Sequence, residues 1–170
     1  FDFGAFEAFR AGLAQKPRPK GFEIRPMDVS LAERIGGMSW CEDAVKHFQS
    51  VEDAAARSVA AVALVHGEIV SVAGCYTVYD DGIEVEIDTR SDVRRQGFAS
   101  MVAAEQIGAC RERKFAVHWD AFDPNSAAFA RKIGFRNGHR YECIGLDLRS
   151  VSGPPEGVAN RVRARRKPTP

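Results

Sequence analysis

Residues 83–99 read I-E-V-E-I-D-T-R-S-D-V-R-R-Q-G-F-A. Apolar Ile83, Val85 and Ile87 alternate with acidic Glu84, Glu86 and Asp88, the period of two expected of a strand. A polar turn follows, after which Arg94, Arg95, Gln96, Gly97, Phe98 and Ala99 open an amphipathic segment with Ala99, Ala103, Ile107 and Cys110 on one helical face. A strand therefore runs through a basic, glycine-bearing turn into a helix. Free N–H groups at a helix start attract anions, and a glycine there lets a phosphate approach the main chain. The stretch reads as a phosphate cradle beside acidic side chains; the plainer alternative is a glycine turn with incidental arginines.

Upstream, Ser58 to Val65 is an apolar run, His66 to Glu68 a turn, and Ile69 to Tyr79 a returning strand. Three strands thus meander antiparallel into the cradle. Before them, Phe3, Phe6, Phe9 and Leu13 fall at helical spacing, and their aromatic stripe is expected to dock on a core. Phe22 to Met27 alternates as a first strand. Ser30 with Glu33, and Ser39 with Glu42, form capping boxes for two short helices, the second presenting Trp40, Ala44 and Phe48 on one face. Downstream, Phe115 to Phe122 reads as a strand parallel to the 83–89 strand, reached by a helical crossover. Asp123 then caps a helix ending at Gly134, and Phe135 to Leu148 reads as a last strand. Residues 1–20 are expected to be a helix and linker, 21–150 the main domain and 151–170 a loose basic tail.

Composition narrows the function. With 170 residues, 45% hydrophobic and 28% charged, the chain suffices for one domain with a real core. No apolar run reaches the roughly 18 residues needed to cross a bilayer, so the expectations are no membrane partner and a cytoplasmic location. The first residue is Phe1 rather than Met, which leaves upstream sequence open. Cys41, Cys75, Cys110 and Cys143 lack a shared context or a C-x-x-C, and the four histidines lack ligand spacing. Reduced buried thiols and no metal are expected. Five cations between Arg161 and Lys167 account for the net charge of +1 and leave the rest near −4. A short basic run after a Pro/Gly linker reads as solvated, so a nucleic-acid partner is not expected.

The order of one strand, two short helices, three meandering strands, a basic glycine turn with its helix, a strand, a helix and a strand resembles the GNAT superfamily of acyl-CoA-dependent N-acyltransferases. Arg94, Gly97 and Ala99 fit that family's R/Q-x-x-G-x-G/A loop, and K-I-G-F at 132–135 fits its last helix ending. I-D-T at 87–89 stands where the fourth strand offers backbone groups to the pantetheine arm. E-I-D-T with H-W-D at 118–120 resembles a bacterial subset that includes antibiotic-modifying members. The resemblance covers roughly residues 22–148. It implies an α/β fold with a mixed, mostly antiparallel sheet of six to seven strands and helices on both faces. It also implies acetyl-CoA as cosubstrate, with CoA as product and no metal. The cofactor positions would be Ile87, Asp88, Thr89, Arg94, Arg95, Gln96, Gly97, Phe98, Ala99, Asp123 and Ser126. Two positions depart from the pattern: Asp123 stands where many members have Asn, and Ala130 where many have the Tyr that protonates the leaving thiolate. Either Tyr141, Tyr76, Tyr79 or His118 acts as a substitute donor, or the thiolate leaves without direct protonation.

Acetyl transfer needs a neutral amine, yet a lysine-like amine with a pKa of about 10.4 is protonated at neutral pH, so a base must take its proton. Glu84, Glu86 and Asp88 share one strand face at roughly 6.6 Å intervals. Glu86 and Asp88, nearest the cradle, are the candidate catalytic carboxylates, with a solvated row paired to arginines as the alternative. Trp40, Glu86 and Asp120 are the candidate acceptor contacts, although Trp40 reads equally as a core anchor. A small-molecule amine is the expected acceptor, with a homodimer left open. The rival function is an acyl-CoA-binding module that has lost catalysis, motivated by Ala130.

Overall fold

The computed structural model describes residues 1–142. Five strands form one sheet in chain order: β1 (Phe22–Pro26), β2 (Ala61–Val65), β3 (Glu68–Tyr79), β4 (Gly82–Thr89) and β5 (Ala116–His118). The first four pair antiparallel, and β5 runs parallel to β4. The parallel step follows from the crossover helix α4 (Phe98–Glu112) between them. The mixed, mostly antiparallel α/β class is as expected.

The count of six to seven strands is corrected to five among the described residues. Residues 135–142 form no strand, and the rest of the expected Phe135 to Leu148 strand, Cys143 and the tail lie outside the described residues. The strand expected over Phe115 to Phe122 is also shorter, because Trp119 leaves the ladder for other partners. Its indole packs edge-on to Phe129 and Phe135, with centroids 5.6 and 5.3 Å away, and Nε1 donates to Ser126 Oγ at 3.0 Å.

Two layers cover the sheet. On one face Leu31 and Ile35 of α2 (Val29–Gly36) meet Leu64 and Val72 in a core that includes Ala44 and Ala54. On the other, Phe98 and Val102 of α4 pack on Ala63, Val70 and Ala73, while Cys110 packs with Ile83 and Val85. The amino-terminal helix α1 (Phe3–Ala14) and α5 (Pro124–Ile133) complete this layer through Phe6, Ile107 and Ile133, each at most 1% exposed. Of the stripe expected on α1, Phe6 and Leu13 are buried and Phe9 packs on the core, whereas Phe3 stays 48% exposed. Cys41, Cys75 and Cys110 are buried free thiols, and burial pushes Cys41 and Cys110 up to about 12.

The capping boxes mislead. Asp28, not Ser30, caps α2, accepting from the Leu31 N–H at 2.8 Å. Ser39 to Phe48 holds only a 3-10 turn, Glu42–Ala44, and the second helix is α3 (Val51–Arg57), capped by Ser50. The tertiary contact of Ala44 with the sheet at Gly74 prevails over the local signature there.

Candidate active site

The period-two reading of β4 is realised in its packing. Ile83 and Val85 are buried toward α4, whereas Glu84, Glu86 and Asp88 are half-buried on the face of the 3-10 turn. β4 and β5 pair only from Gly82 to Glu84 on the β4 side, matched to Ala116 to His118. Beyond that point the strands part, and the gap is a cavity of about 560 Å³. Val85, Glu86, Ile87 and Asp88 form one wall, Trp119 and Phe122 another, Asp123, Asn125, Ser126 and Phe129 of the α5 end a third, and Arg94 with Ala99 the far end.

That far end is the cradle. Gly97 is the N-cap of α4 with φ 94° and no side-chain capping bond, so the first-turn N–H groups are left for another acceptor. A Cβ at Gly97 would meet nothing within 4 Å, so open space lies over the main chain. Arg95, two residues before it, also has a positive φ, 63°. Arg94 is exposed and ties the loop to β4 by donating from Nε to Thr89 O at 3.2 Å. Thr89 Oγ1 in turn bonds Ser71 Oγ at 2.8 Å. Arg90, by contrast, is engaged by Asp92 at 2.8 Å. An uncapped 15-residue helix, open space over its glycine and an exposed arginine fit a pyrophosphate.

The acidic wall is electrostatically loaded. Glu86 is pushed up to about 7, first by burial, then by Asp88, Asp43 and Glu84, with Lys46 opposing. Asp88 is pushed up to about 6 by burial and Asp43, against Arg94 and Lys46. Among the described residues none of Glu84, Glu86 and Asp88 forms an ion pair, so the arginine-paired row is not what the fold builds. Asp43 and Lys46, themselves ion-paired, stand over the row from the 3-10 turn.

Of the sequence-derived positions, Glu86, Ile87, Asp88, Arg94, Ala99, Asp123 and Ser126 share the cavity. Thr89, Arg95, Gln96, Gly97 and Phe98 flank it along the loop, and Phe98 is buried against Phe22. Trp40 packs on the core around Ile35 and Leu64, and Asp120 is exposed; neither lines the cavity. Asp123 accepts from the Ser126 N–H at 2.7 Å as the α5 cap. Ala130 is buried in α5, and none of Tyr76, Tyr79, Tyr141 and His118 lines the cavity. Val85, Phe122, Asn125 and Phe129 were not expected as lining residues, and Trp119, which reads as core, lines the cavity as well. Trp119 and Phe129 carried only an apolar signal, which reads as core.

The model of the GNAT acetyltransferase family matches residues 5–144. This chain belongs to the GNAT acetyltransferase family. No curated protein matches this GNAT chain. Among solved structures it is similar to a GCN5-related N-acetyltransferase-like protein from Streptococcus suis, at 34% identity and TM-score 0.70 over 79% of this chain and 52% of that one. The chain spans about half the length of that structure. Glucosamine-6-phosphate N-acetyltransferase from Arabidopsis thaliana shares the GNAT fold at 17% identity and TM-score 0.54, covering 75% of this chain and all of that one. So does aminoglycoside N-acetyltransferase AAC(6')-Iy in complex with CoA, at 17% identity and TM-score 0.54 over 74% of this chain and 95% of that one.

Proposed function

We propose that this GNAT chain transfers an acetyl group from acetyl-CoA to the primary amine of a small-molecule acceptor, by direct attack in a ternary complex. One observation carries the reading: two unpaired carboxylates with raised proton affinity line the same cavity as the open end of α4. The N–H groups of Phe98 and Ala99 with Arg94 would hold the pyrophosphate, and the β4 edge from Val85 to Asp88 would flank the pantetheine arm. Acetyl-CoA, when bound, supplies a thioester carbonyl and a thiolate leaving group.

Glu86 accepts a proton from the acceptor ammonium, leaving the nitrogen lone pair free. The amine forms the new C–N bond, the C–S bond breaks with its electron pair on sulfur, and the second proton shed by the nitrogen ends on that sulfur as the CoA thiol. A group with a pKa of about 7 suits this task, since at neutral pH it is both substantially ionised and basic enough to take the proton. Asp88 and Asp43 raise that basicity and attract a cationic acceptor. Ser126 Oγ already accepts from Trp119, which leaves its O–H to donate a hydrogen bond toward the departing sulfur while keeping its proton.

The test is release of free CoA thiol across a panel of primary amines, with Glu86→Gln beside the native chain. Turnover by the native chain, a drop of roughly 10²–10⁴ in the variant and retained acetyl-CoA binding support the assignment. A second reading, a binding module without catalysis, is favoured by the absence of a tyrosine or histidine among the described residues that line the cavity. Tight acetyl-CoA binding with no thiol release from any amine would establish it instead.

A further inference from the structure

We infer that Gly74 is a positioning residue for this reaction: by carrying no side chain, it lets Ala44 and the 3-10 turn around it seat on the sheet beside Glu86. The inference rests on Glu86 as the base. Gly74 lies in the interior of β3 and is the ladder partner of Glu86 on β4. Its φ is not positive, so the backbone does not require glycine there. Space does. A Cβ at position 74 would lie 2.6 Å from Ala44 Cβ, 3.1 Å from its Cα and 3.4 Å from its carbonyl oxygen. Ala44 has no side-chain torsion with which to yield, so any side chain at 74 must lift the turn itself.

The seat is held from both sides. Above, Ala44 and Val45 are 1% and 6% exposed, which keeps water from the contact. Below, Gln106 of α4, 1% exposed, donates through Nε2 to both Gly74 O and Val59 O, fixing the strand where its bulge between Cys75 and Thr77 begins. Every charged group that acts on Glu86 from outside β4 rides on the seated turn: Asp43 and Lys46. Glu84 and Asp88 act from β4 itself, Arg94 acts on Asp88 from the loop, and the Cys41 thiol lies within reach of Asp88. Lifting the turn therefore admits water to Glu86 and withdraws both Asp43 and Lys46. Hydration and the loss of Asp43 favour the ionised carboxylate and outweigh the smaller opposing loss of Lys46, so the pH at which the base becomes active falls.

The pH profile of kcat/KM is the readout, since loss of fold alone would not move its inflection. The native chain should show an acidic-limb inflection near 7. Gly74→Ala should move it down by on the order of one unit while leaving the acetyl-CoA Kd within twofold. Adding Ala44→Gly, which removes the opposing methyl, should bring the inflection back. A folded Gly74→Ala variant with the native inflection, or a double variant that stays shifted, overturns the proposal. If Gly74→Ala does not fold, Ala44→Ser adds an atom to the same contact from the turn side and should lower the inflection likewise, and an unchanged inflection there also overturns it. Glu86→Gln separates the two ideas: if that variant keeps the inflection near 7, the base assignment has failed, whatever Gly74 does.

Discussion

Glu86 binds a proton more tightly than an ordinary carboxylate because it is half-buried beside Asp88, Asp43 and Glu84, which outweigh Lys46. A carboxylate whose folded pKa of about 7 exceeds its ordinary 4.5 binds protons more tightly in the native chain than in the unfolded one. Stability supplied by that proton is present at low pH and declines as pH rises between those two values. Glu86→Gln should therefore be nearly neutral at pH 4 and stabilising at pH 8, by on the order of 1–2 kcal/mol once solvent screening is allowed for. Urea denaturation at the two pH values checks this; equal effects at both would contradict it. The acidic row was legible because period-two alternation assigns a face to every side chain of a strand. Asp43 and Lys46 were not, since they reach the row through a turn some forty residues away, and no local pattern encodes that approach.

Among the elements, α4 was the most legible and the region between β1 and β2 the least. A strand, a basic glycine turn and an apolar stripe each constrain the backbone in the same direction, so their agreement located the cradle. Ser39 with Glu42 offered a cap, but the Ala44 contact with Gly74 tightened that turn, and the helix formed later behind Ser50. Gly97 is where the cradle's chemistry and conformation meet. Gly97→Val would force a β-branched residue to φ 94° and set methyl groups over the free N–H groups, costing on the order of 1–3 kcal/mol in strain. Titration calorimetry should show acetyl-CoA binding lost or weakened more than a hundredfold, with near-native circular dichroism. Retained affinity would remove the pyrophosphate from this loop.

Across the whole molecule, tight turns make β2, β3 and β4 consecutive antiparallel neighbours, whereas β1 reaches β2 through α2, the 3-10 turn and α3. Only the α4 crossover places β5 parallel, and only the departure of Trp119 toward Phe129, Phe135 and Ser126 opens the sheet there. That opening was not legible, since an aromatic residue in a strand pattern signals burial and not where a ladder ends. The cavity, the uncapped α4 and the carboxylates of β4 meet only through this divergence. If they form an acyl-CoA site, the ligand should bind the native chain alone and stabilise it by mass action. Thermal unfolding with acetyl-CoA at 100 times its Kd should show about 2.7 kcal/mol of added stability, growing with ligand concentration. An unfolding midpoint that stays the same at millimolar acetyl-CoA would contradict the account.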